Sequence, residues 1–341
     1  MLALFNEEQL MFENTAKRLA QSIGIKNPHD LQVADPDHGW QQMTEVGLLS
    51  LRMRDNGVPL ASGVEVMIAA QALGETLVPQ PFVGGVLAAE LLALSNAPSE
   101  LIESAAAGET RYALLLDGAL QRLAAPDEPN CIAWDSQNAH YALGLQGHQL
   151  VRIDLAQGFV QAAEGADLTR TLHLSQGPHD SEPVGSPLQE EQLVRWQALA
   201  LTTIAADIVG VLHGAYAGAV AYTKERSQYG VLIGSFQAIQ HLCAEMLVQA
   251  QAAHSMTCYA AWAVDELEPA QALLAARTAK AYAASAALPV TETVMQVYGG
   301  IGQTWEHIAH VYTRRALVGA RLFGDEAYQL QQIADVRLGA R

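Results

Sequence analysis

A chain of 341 residues, half of them hydrophobic, is long enough for two or three packed units around a sizeable core. Its formal net charge of −17 argues against general nucleic-acid binding, which needs a basic face, yet leaves room for one local pocket for a phosphate-bearing ligand. Cys131, Cys243 and Cys258 are odd in number and lack CxxC spacing, so they read as small hydrophobes in a reducing compartment.

From its start to about residue 109 the chain reads as helices. FNEEQLMFENTAKRLAQSI has apolar residues at helical spacing, and Asn6 before Glu7 and Glu8 suits a helix start. Further helices are expected over GWQQMTEVGLL, closed by Gly47, over SGVEVMIAAQALGETL, and over VGGVLAAELLALS. The opening stretch is acidic and amphipathic, unlike a signal or transit peptide. WQALALTTIAADIVGVL is interrupted by Gln197 and Asp207, short of the roughly 18 apolar residues of a membrane span. The expectation is a soluble, cytoplasmic protein with neither a membrane nor a nucleic acid as partner.

Residues 110–187 change texture. RYALLLDG, CIAWD, HYALGL, HQLVRIDL and TRTLHL are short apolar runs separated by Gly, Asp, Asn and Pro, the pattern of strands and turns. From 188 to 341 the helical pattern returns in four long segments, 190–226, 236–266, 269–298 and 305–338. Their short connections favour antiparallel packing in a four-helix bundle. The fold class expected is mainly α with a small β domain.

Two stretches carry candidate chemistry. In YTKERSQYGVLIGSFQAIQHLCAEM, Gly230 and Gly234 bracket an apolar tripeptide between two long helices, and Ser235 is a candidate N-cap. Arg226, Gln228 and the helix start near Phe236 and Gln237 together offer guanidinium, amide and backbone donors, which suit an anionic or nucleotide-like ligand. An ordinary interhelical loop with a surface arginine accounts for the same residues. In QVYGGIGQTWE, Gly299, Gly300 and Gly302 allow close backbone approach, by a ligand, a packed subunit or simply a turn. With no strand before it and the wrong spacing, this cluster is not a Rossmann fingerprint.

Taken in this order, RSQYGVLIGSFQ and QVYGGIGQTWE resemble the acyl-CoA dehydrogenase family, which carries Arg-x-x-Phe/Tyr-Gly-x-x-Ile-x-x-Phe-Gln and then Gln-x-x-Gly-Gly-x-Gly-x-x-x-Glu. WQQMTEVGLLSLRM and ALGETLVPQPF match the family's N-terminal cadence more loosely. The resemblance spans nearly the whole chain and is strongest from Glu190 onward. It implies an N-terminal helical domain (1–109), a reduced middle β domain (110–187) and a C-terminal four-helix bundle (188–341). It also implies oxidation of acyl-CoA thioesters, with FAD accepting the β hydride. In the family the flavin is shared across a subunit interface, so the residues implied to reach a neighbour's FAD are Arg226, Gln228, Tyr229, Gln237, Gln296, Gly299 and Gly300.

The resemblance also marks losses. The family's base position in its Tyr-Glu-Gly-Thr element falls on Phe323, with Asp325 at the threonine. The displaced base position of other members falls near Ala200. Neither Asp207 nor Asp325, the carboxylates nearby, occupies a base position. The family's Thr-Glu-Pro-x-x-Gly-Ser-Asp flavin loop is missing from 110–187, and a carboxylate at Asp325 would repel an anionic cofactor in the chain's own half-site. Retained and lost features together resemble the short subunits of heteromeric acyl-CoA dehydrogenases, such as those acting on steroid side-chain CoA thioesters. That implies no catalytic residue in this chain, a heterotetramer with a catalytic homologue as partner, and an acyl-CoA substrate. A self-sufficient homo-oligomeric dehydrogenase with an atypical base and a cofactor-free helical scaffold stay open as alternatives. His213, His241, His307 and His310 are too scattered for a metal set, and Glu306 is expected to pair with Arg314 or Arg315.

Overall fold

A computed structural model describes residues 5–33, 35–163 and 165–339. The chain begins with α1 (Glu7–Ile23), started by a capping box in which the Gln9 amide N–H donates to Asn6 Oδ1 at 2.8 Å. Then come α2 (Asp30–Val33), α3 (Pro36–Glu45) and a small hairpin of β1 (Arg54–Asp55) and β2 (Val58–Pro59). Helix α4 (Gly63–Glu75) opens on a second capping box, Ser62 with Glu65, and is followed by α5 (Phe82–Leu94) and α6 (Ser99–Ala106).

A seven-stranded sheet follows, built from β3 (Tyr112–Leu116), β4 (Ile132–Trp134), β5 (Tyr141–Gln146), β6 (Gln149–Asp154), β7 (Phe159–Gln161), β8 (Leu172–Ser175) and β9 (Glu182–Pro183). Its order is β7-β8-β4-β3-β5-β6-β9, antiparallel except for the parallel β3–β5 pair. Strand β3 lies at the centre and is buried on both faces, which explains why it reads YALLL without alternation. Leu114 and Leu116 face the main core with α5, while Ala113 and Leu115 face a smaller cluster with Cys131 and Ile153. The terminal pieces β7 and β9, like the two-residue hairpins, are too short to show a period and lie outside the strand signals of the sequence.

The bundle consists of α7 (Glu190–Thr223), a hairpin of β10 (Ser227–Gln228) and β11 (Val231–Leu232), α8 (Gln237–Glu266), α9 (Pro269–Tyr298), α10 (Ala309–Arg321) and α11 (Glu326–Leu338). Helix α7 is its hub. It is long and apolar enough to cross a bilayer, but 89% of its most apolar window is buried beneath α4, α8, α9 and α10. Gly214 lets α4 press its backbone against α7: a Cβ there would stand 2.0 Å from the Glu75 carbonyl oxygen.

Two local expectations are corrected. Segment 305–338 is not one helix but α10 and α11, broken at a turn where Phe323 (φ 54°) and Gly324 (φ 94°) are left-handed. Lys280 Nζ donates to the carbonyls of Ala320 and Gly324, at 2.9 and 3.0 Å, and Gln329 Nε2 donates to that of Phe323 at 2.6 Å. These bonds replace the helical ones the turn gives up. Ser235 does not cap α8. It sits in a short 3-10 turn with its Oγ donating to Leu232, and α8 starts after Phe236 without a side-chain cap.

Candidate functional site

The up-down course of α7, α8 and α9 brings the C-terminal end of α7, the N-terminal end of α8 and the C-terminal end of α9 to one end of the bundle. Both glycine-bearing stretches therefore meet there. Arg226 opens the β10–β11 hairpin, whose turn residues Tyr229 (φ 54°) and Gly230 (φ 79°) are both left-handed, as a two-residue type I′ turn requires. At the other stretch, α9 stops at Gly299 (φ 66°, ψ −143°), a conformation open to glycine and strained for other residues.

Arg226, Gln228, Tyr229, Gln237, Gln296, Gly299 and Gly300 are all exposed, Tyr229 to 93%. Among the described residues the side chains of Arg226, Gln237 and Gln296 have no hydrogen-bond partner, and Gln228 Nε2 reaches only the neighbouring Ser227 carbonyl. A Cβ added at Gly299 or Gly300 would meet nothing within 4 Å, so bare backbone faces outward. The uncapped first turn of the 30-residue helix α8 adds free N–H groups and the positive end of its dipole. A cation, amide donors and open backbone on one exposed end fit an anionic nucleotide cofactor that approaches from outside the chain.

The interior offers no such fit. Phe323 is 1% exposed, with its ring meeting that of Trp196 edge-on at 5.8 Å between centroids. Both line a cavity of about 400 Å³ between α7 and the sheet unit, with Leu123, Leu145 and Leu193. Of its carboxylates, Glu128 is held by Arg122 at 2.7 Å, and those hydrogen bonds keep it below the usual carboxylate range, while Glu190 lies exposed at the rim. Ala200 is fully buried and inert. Asp325 caps α11 through the Tyr328 N–H and pairs with Arg321 at 2.6 Å. With Glu326 it lines an open groove beside Leu288 and Leu317, where Arg314 and Arg321 offset the two carboxylates, so the repulsion of an anionic cofactor expected at Asp325 is largely cancelled.

Asp207 is committed elsewhere. It takes a two-pronged contact from Arg315 and a second cation, Arg170 Nη2, at 3.6 Å. Arg170 also reaches Asp135 at 3.5 Å, and Arg315 Nη1 donates to the Val78 carbonyl at 2.8 Å. Burial pushes the Asp207 carboxyl up, but the arginines more than reverse this and hold it below the ordinary range. At Asp135 burial prevails and the group is raised. Sequence reading missed this cluster; its one signal is an aspartate inside an otherwise apolar helix.

The expected Glu306 pairing is also corrected. Arg315 belongs to the buried cluster, Arg314 lies 5.1 Å over the Trp305 ring, and Glu306 is exposed in the turn before α10. Among the described residues no group of three His, Cys, Asp or Glu is placed to hold a metal. His213 instead accepts from Gln71 at 3.2 Å, and His254 meets the same side chain at 2.9 Å.

Lys280, buried and, among the described residues, without a carboxylate in salt-bridge contact, has its pKa lowered by burial from 10.5 to about 7. In this window the unfolded chain binds the extra proton, so folding stability should rise with pH between about 7 and 10, by up to ~1.4 kcal/mol per pH unit. Urea unfolding of the wild type and of Lys280→Met at pH 7, 8 and 9 checks this: the difference between them should carry the slope. A difference that stays flat would contradict it.

Residues 197–338 match the family described as acyl-CoA dehydrogenase, C-terminal domain. The acyl-CoA dehydrogenase IpdE2 of Mycobacterium tuberculosis is 28% identical over 336 residues, covering 93% of this chain and 92% of that protein. The acyl-CoA dehydrogenase FadE34 of the same organism is 41% identical over 148 residues, 43% of this chain but only 21% of that longer protein. Among solved structures, the ChsE4-ChsE5 complex from Mycobacterium tuberculosis superposes with a TM-score of 0.82 at 21% identity, covering all of both chains. The last likeness is one of fold.

Proposed function

The chain belongs to the acyl-CoA dehydrogenase family, and from that premise we propose that it is the non-catalytic subunit of a flavin-dependent acyl-CoA dehydrogenase that completes the FAD site of a catalytic homologue. The observation that carries this reading is Phe323: the base position holds a buried ring against Trp196, and the nearby carboxylates Asp207 and Asp325 are engaged by arginines. A chain that retains outward-facing donors and lacks a free base at that position suits a division of labour. The two-protein ChsE4-ChsE5 complex among its structural relatives points the same way.

FAD, when bound, supplies the hydride acceptor for α,β-dehydrogenation of an acyl-CoA thioester. Arg226 would offset phosphate charge, Gln228, Gln237 and Gln296 would donate or accept through their amides, and Tyr229 would cover an apolar part of the cofactor. Gly299 and Gly300 would bring backbone to it without side-chain obstruction. The proton-abstracting carboxylate would come from the partner, and the assembly we infer is a heterotetramer. Resemblance to the steroid-type short subunits suggests a steroid side-chain CoA as substrate. The three free cysteines suit a reducing compartment, and we place the assembly in the cytoplasm.

The test is to purify the chain alone and co-expressed with a full-length acyl-CoA dehydrogenase homologue from the same genome, recording flavin absorbance and acyl-CoA oxidation. Flavin and turnover are expected only in the co-complex, with Arg226→Ala weakening FAD binding at least tenfold, the size of a lost charge-assisted contact. One flavin per protomer and turnover in the lone chain would overturn the proposal. Absence of flavin from both preparations would leave the cofactor-free scaffold.

A further inference from the structure

The hairpin and the glycine turn are 70 residues apart in sequence at Arg226 and Gln296, yet a run of tilted ring contacts joins them. The Tyr222 and Tyr298 rings lie 4.9 Å apart, and the Tyr298 ring lies 4.1 Å from that of His307. Each member is tied to the backbone of one surface element. The Tyr222 carbonyl accepts the Arg226 N–H at 2.9 Å, so Tyr222 anchors the first strand of the hairpin. Tyr298 is the last residue of α9, directly before Gly299. His307 Nδ1 accepts the Ala309 N–H at 3.2 Å, which ties the far side of the glycine turn to the start of α10.

The surroundings are cut to hold the central ring. A Cβ at Gly218, one turn before Tyr222 on α7, would come within 2.8 Å of the Tyr298 hydroxyl, and one at Gly302 within 2.9 Å of Tyr298 Cβ. Tyr298 is thus clamped between α7 and the turn it begins. Burial raises its hydroxyl to about 12, and among the described residues that hydroxyl has no hydrogen-bond partner, so the ring rather than the oxygen does the holding. A Cβ at Gly299 or Gly300 would meet nothing within 4 Å, and the hairpin is only two residue pairs long, tied further by the Ile233 N–H donating to the Arg226 carbonyl at 2.9 Å.

We propose that Tyr222, Tyr298 and His307 form the positioning unit that fixes the Arg226 hairpin and the Gly299–Gly300 turn relative to each other, so that they act as one cofactor-reaching surface. The inference rests on the function proposed above. None of the three residues is assigned contact with the cofactor; they act through Arg226 and the glycine backbone. Without these ring contacts, each element would have to be ordered at the moment of binding, and affinity would fall by that conformational cost.

The test uses the co-complex and reads FAD affinity by flavin-fluorescence titration, with assembly followed by size-exclusion chromatography. Tyr298→Phe should bind FAD within about twofold of wild type, because the unpartnered hydroxyl is dispensable. Tyr222→Leu and Tyr298→Leu should weaken FAD about tenfold, on the order of one lost anchoring contact, in complexes that still assemble. Adding Tyr222→Leu to Arg226→Ala should cost much less than tenfold more, since both act on the same contact. Wild-type FAD affinity in Tyr222→Leu and Tyr298→Leu while Arg226→Ala is impaired would overturn the positioning unit alone. Flavin loss that merely tracks loss of assembled complex would overturn it too, as would full additivity with Arg226→Ala. Unaltered affinity in Arg226→Ala would instead bring down the flavin reading, and this inference with it.

Discussion

Replacing Arg315 by methionine should remove about 3–5 kcal/mol of folding stability, the usual consequence of stripping one partner from a buried ion pair. Arg315 is 1% exposed and contacts both oxygens of Asp207, itself 8% exposed, as well as the carbonyl of Val78. In wild type, Arg315 and Arg170 balance Asp207 and Asp135 within one desolvated cluster. The variant leaves Asp207 and Asp135, with the buried Asp167 nearby, against one guanidinium, at the junction of the α4–α5 loop, the sheet unit, α7 and α10. Urea denaturation monitored by Trp fluorescence reads the loss as a shifted midpoint. The double variant Arg315→Met, Asp207→Leu should recover much of it, because no unpaired charge at position 207 remains. A single variant within about 1 kcal/mol of wild type, the scale of an exposed pair, would show that the cluster does not hold the units together.

Phe323→Glu, which puts a carboxylate where the family resemblance locates the base, should leave the lone chain without acyl-CoA oxidation and lower its stability by about 3–5 kcal/mol, the scale of losing a buried aromatic. The site is apolar and the neighbouring cations are occupied. Lys280 holds the Ala320 and Gly324 carbonyls, and Arg122 holds Glu128. A glutamic acid there would gain no partner charge, and burial would push its pKa upward until it took up a proton. Phe323→Leu keeps the site apolar and should lose less. Thermal unfolding and an acyl-CoA oxidation assay on both variants decide the matter. Turnover restored in the lone Phe323→Glu chain would show that a complete flavin site lies within it.

Much of the secondary structure was legible because its signals are local. Asn6 and Ser62 announce helix starts through contacts within three residues, and α9 begins at Pro269 and ends before Gly299 as the sequence pattern suggests. The split between α10 and α11 was not legible. LFGD contains one glycine in a helical run, and the residues that stabilise the break, Lys280 and Gln329, include one from a different helix. Ser235 misled for the opposite reason: it has a capping side chain, but its hydroxyl turns back to Leu232 in a tight turn that ends before α8 begins.

The gathering of the candidate residues at one end could be inferred from the order of long antiparallel helices, since helix length alone brings alternate ends together. The run of ring contacts that joins them could not, because Tyr222 and Tyr298 read as ordinary core aromatics until their rings are seen to meet, 4.9 Å apart and tilted by 50°. The charges were least legible of all. Proximity in sequence pairs Glu306 with Arg314 or Arg315, whereas the partner of Arg315 lies 108 positions away.

By itself, then, the sequence determined the mainly helical fold, its central β unit, the acyl-CoA dehydrogenase likeness and the lack of a carboxylate at position 323, all written in residue type and short-range spacing. Only the tertiary structure decided which charges are neutralised, that Phe323 is buried in the wall of a pocket, and that Arg226, Gln237 and Gln296 are left facing outward. Desolvation is the reason. Whether a side chain is a base, a structural ion or a free donor depends on how much water and which opposite charges the rest of the chain leaves around it.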